Sequence, residues 1–162
     1  MTDKNYSFAQ DVVDLLKERK LKISFAESCT GGMAAAAITE INGASGIIDM
    51  SVVTYANWAK IEYTDVTDEV LTAYGAVSEQ TASLMAAGIR KRAGADIGVG
   101  ITGIAGPSGG TLEKPVGTVY IAIDLSGKVF KVERFAFSGK RDEVRLKAVQ
   151  NALIMLLKLL ED

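Results

Sequence analysis

The chain has 162 residues, with 48% apolar, 23% charged and a formal net charge of −2, which describes one ordinary globular domain without a basic field to hold nucleic acid. Its single cysteine, Cys29, and its complete lack of histidine exclude an intrachain disulfide, a Ser-His-Asp triad, a Cys-His dyad and a histidine-ligated metal site. Acid–base chemistry is left to Lys, Tyr, Asp and Glu.

No apolar run approaches the roughly 20 residues that cross a bilayer. The polar opening Met1-Thr2-Asp3-Lys4-Asn5 leads into no signal-like segment, so a cytoplasmic location is expected. Residues 6–20 predict a helix with Ala9, Val12, Val13 and Leu16 on one face. Residues 22–26 predict a short strand. Glu27-Ser28-Cys29-Thr30-Gly31-Gly32 follows. Met33-Ala34-Ala35-Ala36-Ala37-Ile38 then predicts a closely packed helix that stops near Asn42-Gly43. Residues 50–55 predict a second strand ending at Tyr55, with Asn57 capping a short helix that carries Lys60. Ser78 caps a helix to about Ala93, with Ala82, Met85, Ala86 and Ile89 inward and Gly94 as the stop. Residues 96–102 predict a third strand. One of its faces is Ile97, Val99 and Ile101, and the other is Gly98, Gly100 and Thr102, small enough to invite a helix or a ligand. Residues 103–115 form a loop with four glycines and both prolines, long enough to suggest function. Residues 117–124 and 128–137 predict a hairpin turning at Ser126-Gly127. Residues 140–160 predict a last helix, apolar nearly all round over 153–160, which implies a core position or a subunit contact. Alternating helices and strands followed by a hairpin predict an α/β fold, a three-layer α/β/α sandwich with a mixed sheet, in one domain over residues 1–162.

Three stretches carry candidate chemistry. The Glu27–Gly32 turn places hydroxyl and thiol side chains where a strand gives way to a helix N-terminus, whose N–H groups stabilise anions. It is also what a simple helix cap looks like. Cys29 is the stronger nucleophile intrinsically, while Ser28 needs a base, which a lysine kept neutral by burial supplies. Lys60, among apolar neighbours, is the candidate base; a solvated surface lysine is the plain alternative. Tyr55 at a strand end can assist a leaving group. Gly98-Val99-Gly100-Ile101-Thr102-Gly103, with Asp124 further on, matches a dinucleotide fingerprint. It opens no helix, so NAD or FAD binding is rejected. The loop after Thr102 can still cradle a phosphate. Arg141 at a helix start opposes the macrodipole unless an anion sits there; salt bridges of Arg141 or Arg145 with Asp142 or Glu143 are the alternative.

Together the stretches Ala26–Gly32, Tyr55–Lys60, Gly75-Ala76-Val77-Ser78-Glu79, Thr102–Pro107 with Gly109-Gly110, and Lys114–Val119, with Arg141 and Arg145, resemble the CinA carboxy-terminal domain family. That family includes bacterial nicotinamide mononucleotide deamidases. The resemblance implies a serine nucleophile at Ser28, a lysine partner at Lys60 and an assisting Tyr55. It implies nucleotide binding by the Thr102–Gly110 loop, including Gly103 and Gly106, and by Arg141. Backbone amides around Thr30, Gly31 and Gly32 are candidate oxyanion donors, and Glu27 faces either the pyridinium ring or Lys60. Three residues depart from the family pattern: Ala56 for a serine, Ser108 for an aspartate and Lys140 for an aspartate. The larger amino-terminal domain of some members is not in this sequence. The expected protein is an amidohydrolase that converts the small-molecule substrate nicotinamide mononucleotide to nicotinic acid mononucleotide and ammonia. It is expected to have no cofactor or metal, no nucleic-acid or membrane partner, and a homo-oligomeric state, dimer or larger. Two rivals stay open: Cys29 as nucleophile, and a catalytically silent nucleotide-binding or regulatory module.

Overall fold

The computed structural model describes residues 3–161, so Met1 and Thr2 of the polar opening lie outside the described residues. Five strands form one sheet in the order β2-β1-β3-β4-β5. β1 (Ile23–Glu27), β2 (Val52–Val53) and β3 (Ile97–Gly103) are mutually parallel. β4 (Thr118–Leu125) and β5 (Lys128–Ala136) extend β3 as an antiparallel meander. Among the described residues there are six α-helices: α1 (Asp3–Arg19), α2 (Met33–Thr39), α3 (Asn57–Tyr63), α4 (Asp68–Tyr74), α5 (Glu79–Ala93) and α6 (Arg141–Glu161).

The two sheet faces follow from strand alternation. Ile23, Phe25, Ile97, Val99, Ile101, Val119, Ile121 and Ile123 are buried in one core with α1, α2 and α6. The opposite face is small, and α5 lies on it. A Cβ at Gly98 would fall 2.1 Å from the Ala86 carbonyl oxygen, and one at Gly100 would fall 2.2 Å from that of Ala82. These glycines therefore admit a helix backbone, not a ligand. Asp124 beneath α5 accepts from Arg90 Nε at 3.1 Å. The dinucleotide fingerprint is thus a packing device, and the fold is the mixed α/β three-layer arrangement expected.

Several local expectations need correction. β2 has two residues rather than six, since Ser51 Oγ, not backbone, accepts from the Phe25 N–H at 3.1 Å. Asn57 does not cap α3; Ala56 holds that place and offers no side-chain acceptor. Of the alanines in α2, Ala34 and Ala37 are buried while Ala36 is exposed. Helix α4 was not expected because it buries none of its residues. Its signal is present nonetheless: Thr67 accepts from the Val70 N–H at 3.4 Å, and Asp68-Glu69 fill the first turn. Leu153, Met155, Leu156, Leu159 and Leu160 are all buried within this chain, where α6 packs on α1 and α2. The apolar wrap of α6 therefore gives no separate reason for a second copy.

The direction of the strands places the site. Two successive antiparallel pairings return β5 to the direction of β3. β1, β2, β3 and β5 consequently all end at one edge of the sheet, where the segments that follow them converge. In open α/β sheets that carboxyl edge is where ligands bind.

Candidate active site

Ser28 is the first residue after β1, and its N–H donates to the Ile101 carbonyl at 2.9 Å. The chain then turns sharply: Gly31 N–H donates to the Ser28 carbonyl at 3.1 Å. Gly31 and Gly32 both sit in the left-handed region, at φ 63° and 95°, which only glycine adopts cheaply. Glu27, 1% exposed, turns its carboxylate to the start of α2. It accepts from the N–H groups of Gly32 (3.1 Å), Ala34 (3.1 Å) and Ala35 (2.9 Å). These are the donors a helix leaves unpaired, and a carboxylate beside them is favoured by the dipole. The expectation that Glu27 binds substrate or orients Lys60 is therefore corrected. Its charge closes the turn instead, and it takes the Gly32 amide out of the set of oxyanion donors. From the other side, Arg145 of α6 donates to the carbonyls of Cys29 (Nε, 3.0 Å) and Thr30 (Nη2, 2.9 Å).

Lys60 on α3 is 1% exposed. Its Nζ lies 3.2 Å from Ser28 Oγ, 2.8 Å from the Thr54 carbonyl and 3.3 Å from that of Tyr55. Burial lowers its pKa below the ordinary lysine range. Of its apolar neighbours in sequence, Ala59 is buried while Tyr55 and Trp58 are 60% and 66% exposed. The fold buries the amine by turning Lys60 inward across the end of β1. Three oxygens thus surround Nζ, which donates to all three as an ammonium; once it loses a proton, two hydrogens serve the carbonyls and the lone pair is left for the Ser28 hydroxyl. Burial, and next the Glu27 charge, pushes the Cys29 thiol up to about 12. At neutral pH it is a protonated thiol packed in the core, which disfavours the cysteine rival.

A cleft of about 220 Å³ opens above this pair. Ser28, Lys60, Tyr55, Thr102, Gly103 and Arg141 line it, together with Cys29, Asn57, Ala76, Val77 and Ala105. Arg141, the first residue of α6, donates to the Gly106 carbonyl (Nη1, 2.8 Å) and to the Tyr55 hydroxyl (Nη2, 2.9 Å). Neither Arg141 nor Arg145 forms an ion pair with Asp142 or Glu143 among the described residues. The Thr102 hydroxyl donates to the Ala76 carbonyl at 2.7 Å, which holds the segment before α5 as a wall of the cleft. Glu27, Thr30, Gly31, Gly32 and Gly106 are not among the lining residues. Sequence reasoning named Asn57 and Arg145 but gave neither a place in the site. Asn57 stands three residues before Lys60, so it shares a helical face with the base. The paired contact of Arg145 has no sequence signal, because it joins positions more than a hundred residues apart.

A family model described as the CinA C-terminal domain matches residues 5–160. The chain belongs to this family. A CinA-like protein of Kosmotoga olearia is 47% identical over 147 residues, covering 91% of this chain and 35% of that protein. A CinA-like protein of Anaeromyxobacter dehalogenans is 50% identical over 145 residues, covering 90% and 35%. The chain thus spans little more than a third of these relatives. Among solved structures, the competence/damage inducible protein CihA from Agrobacterium tumefaciens matches with a TM-score of 0.95 at 41% identity. That match covers 100% of this chain and 98% of that one. A CinA superfamily protein from Klebsiella pneumoniae gives 0.93 at 36%, covering 97% and 98%. The departures of this CinA domain from the family pattern fall on its surface. Ala56 leaves α3 uncapped, Ser108 is exposed in the loop, and Lys140 donates its N–H to Glu143 Oε2 at 2.6 Å just before α6. Among the described residues, no three Cys, Asp or Glu side chains group where a metal ion would sit, and no helix is long and apolar enough to cross a membrane.

Proposed function

We propose that this CinA domain hydrolyses the carboxamide of nicotinamide mononucleotide through an acyl-enzyme on Ser28. The observation that carries the reading is the buried Lys60 amine 3.2 Å from Ser28 Oγ, with its hydrogens matched to two carbonyls. In the reaction, the Lys60 lone pair takes the Ser28 proton as Oγ bonds to the carboxamide carbon. The Cys29 and Thr30 amides are the candidate donors to the oxyanion, since Gly31 and Gly32 are engaged elsewhere. The protonated Lys60 then gives its proton to the departing nitrogen, the C–N bond breaks and ammonia leaves. Water attacks the ester, Lys60 takes a proton from it, and that proton returns to Ser28 Oγ as nicotinic acid mononucleotide is released. Tyr55 accepts from Arg141 at the cleft mouth and keeps its own O–H as a donor, so its assisting role toward the departing nitrogen stays in the proposal. Arg141 and the loop after Thr102 are assigned to the phosphate. No cofactor enters the scheme.

The substrate follows from the family resemblance, and a cytoplasmic location goes with a nucleotide substrate. A homo-oligomer stays in the proposal, supported by the exposed Val53 and Trp58 near the β2 edge rather than by α6; light scattering that returns a monomer at micromolar concentration removes it. The deciding experiment is ammonia release from the mononucleotide. Wild type and Cys29→Ala are expected to release it and Ser28→Ala is not. Near wild-type release by Ser28→Ala would sink the serine scheme, and a silent wild type would favour the binding-module rival.

A further inference from the structure

Arg145 is half-buried and lies one turn beyond Arg141 on α6. It does not line the cleft, whereas Ser28 and Cys29 do, so its guanidinium reaches the Ser28 turn from behind. A peptide unit is planar and trans, so its C=O and N–H point in opposite directions. The Cys29 carbonyl that Arg145 holds belongs to the same unit as the Thr30 N–H. With the carbonyl turned back toward α6, that N–H points away from α6. The Thr30 carbonyl, also held by Arg145, shares its unit with the Gly31 N–H, which donates to the Ser28 carbonyl. One side chain therefore holds the second and third peptide units after the nucleophile, the Thr30 carbonyl also accepting from the Met33 N–H at 3.3 Å.

Those units need fixing. Glycines at φ 63° and 95° follow them, and glycine leaves a peptide plane free to rotate. Gly31 also makes room for the fastener: a Cβ there would stand 3.2 Å from Arg145 Nη2. A cationic donor on the carbonyl additionally polarises the unit and strengthens its N–H as a donor.

We propose that Arg145 is a positioning residue for the reaction, holding the Cys29–Thr30 peptide so that the Thr30 N–H is presented to the developing oxyanion. The proposal rests on the Ser28 acyl-enzyme reading. It differs from a plain structural fastening in what it predicts for kinetics, because an interaction realised only in the transition state changes kcat and spares KM.

The test compares wild type with Arg145→Gln and Arg145→Lys, using nicotinamide mononucleotide and the ¹⁵N resonance of the Thr30 amide. Arg145→Gln is expected to lose kcat by about 10²-fold, the size of one oxyanion donor, with KM nearly unchanged and the pH limb of Lys60 unmoved. Arg145→Lys, a single ammonium that reaches one carbonyl at a time, should recover part of the loss. The Thr30 resonance should shift or broaden in both variants. A folded Arg145→Gln with wild-type kcat, or one whose loss lies in KM, overturns the proposal. If wild type releases no ammonia, the amidase reading fails by itself, and the Thr30 amide still decides the positioning: an unmoved resonance overturns it. If Arg145→Gln does not fold, Arg145→Lys carries the same measurements.

Discussion

The floor and the rim of the cleft are held in opposite ways. At the floor, the Ser28 turn is gripped by charge on both sides, three N–H groups on the buried Glu27 and two carbonyls on the half-buried Arg145. Lys60 is sealed beside it. At the rim, exposed Tyr55 and Arg141 meet through one hydrogen bond in contact with water. Bonds to charged groups in a desolvated site are strong and costly to break, while exposed ones are weak. The groups proposed to react are thus held more firmly than those proposed to meet the nucleotide phosphate.

That contrast can be broken from the floor first. Lys60→Met should abolish ammonia release and should not add to Ser28→Ala, because the two act as one unit. In wild type the rate should rise with pH as the Lys60 ammonium loses its proton, and burial puts that limb below the ordinary 10.5. Stability gives an independent readout. The folded chain binds its Lys60 proton more weakly than the unfolded chain does, so wild-type stability rises with pH between the lowered value and 10.5. The difference in Tm between wild type and Lys60→Met should therefore move in favour of wild type as pH rises through that window. A difference independent of pH would show that Lys60 is not perturbed.

Glu27→Ala attacks the same floor through the fold. It strands three N–H donors at the start of α2 and should cost roughly 3 kcal/mol or more of stability in denaturant unfolding. A loss under about 1 kcal/mol would mean that water replaces the carboxylate at no great cost.

At the rim, Arg141→Ala should leave stability nearly intact. It should weaken binding of the mononucleotide by roughly 1.5–3 kcal/mol, the value of a charge-assisted contact to phosphate. The neutral riboside should lose little. Equal losses for the two ligands, measured by calorimetry on a Ser28→Ala background, would show that Arg141 does not read the phosphate.

The smallest effect sharpens the comparison by strengthening the rim. Ala56 occupies the N-cap of α3 without a side-chain acceptor. Ala56→Ser should add one and raise stability by about 1 kcal/mol, with activity unchanged. No gain in Tm would mean that the serine side chain finds another partner.

How far each part was legible before the structure depends on the range of the forces that make it. Helix α5 could be read whole: Ser78 accepts from the Thr81 N–H at 3.2 Å, Gly94 stops the helix at φ 62°, and the inward residues fall where their spacing puts them. Caps, alternation and glycine turns are written within a few residues of where they act. β2 could not be read, because its length is set by a side chain that replaces the ladder toward another strand. Helix α4 was passed over because it buries nothing and leaves no apolar stripe.

The site divides along the same line. The sequence by itself determined which groups were available: without histidine, any acid–base chemistry is left to lysine, tyrosine or a carboxylate, and the Ser28 turn with its two glycines had to bend sharply. The tertiary structure decided the rest. It buried Lys60 against Ser28, raised the pKa of the buried Cys29 thiol, and set the Glu27 carboxylate on the N–H groups that open α2. It also brought Arg145 across the chain to the carbonyls of the turn. The reason is physical. Side-chain type and local spacing are properties of the chain, whereas desolvation and charge pairing depend on which distant segments exclude water around a group, and only the folded sheet edge sets that.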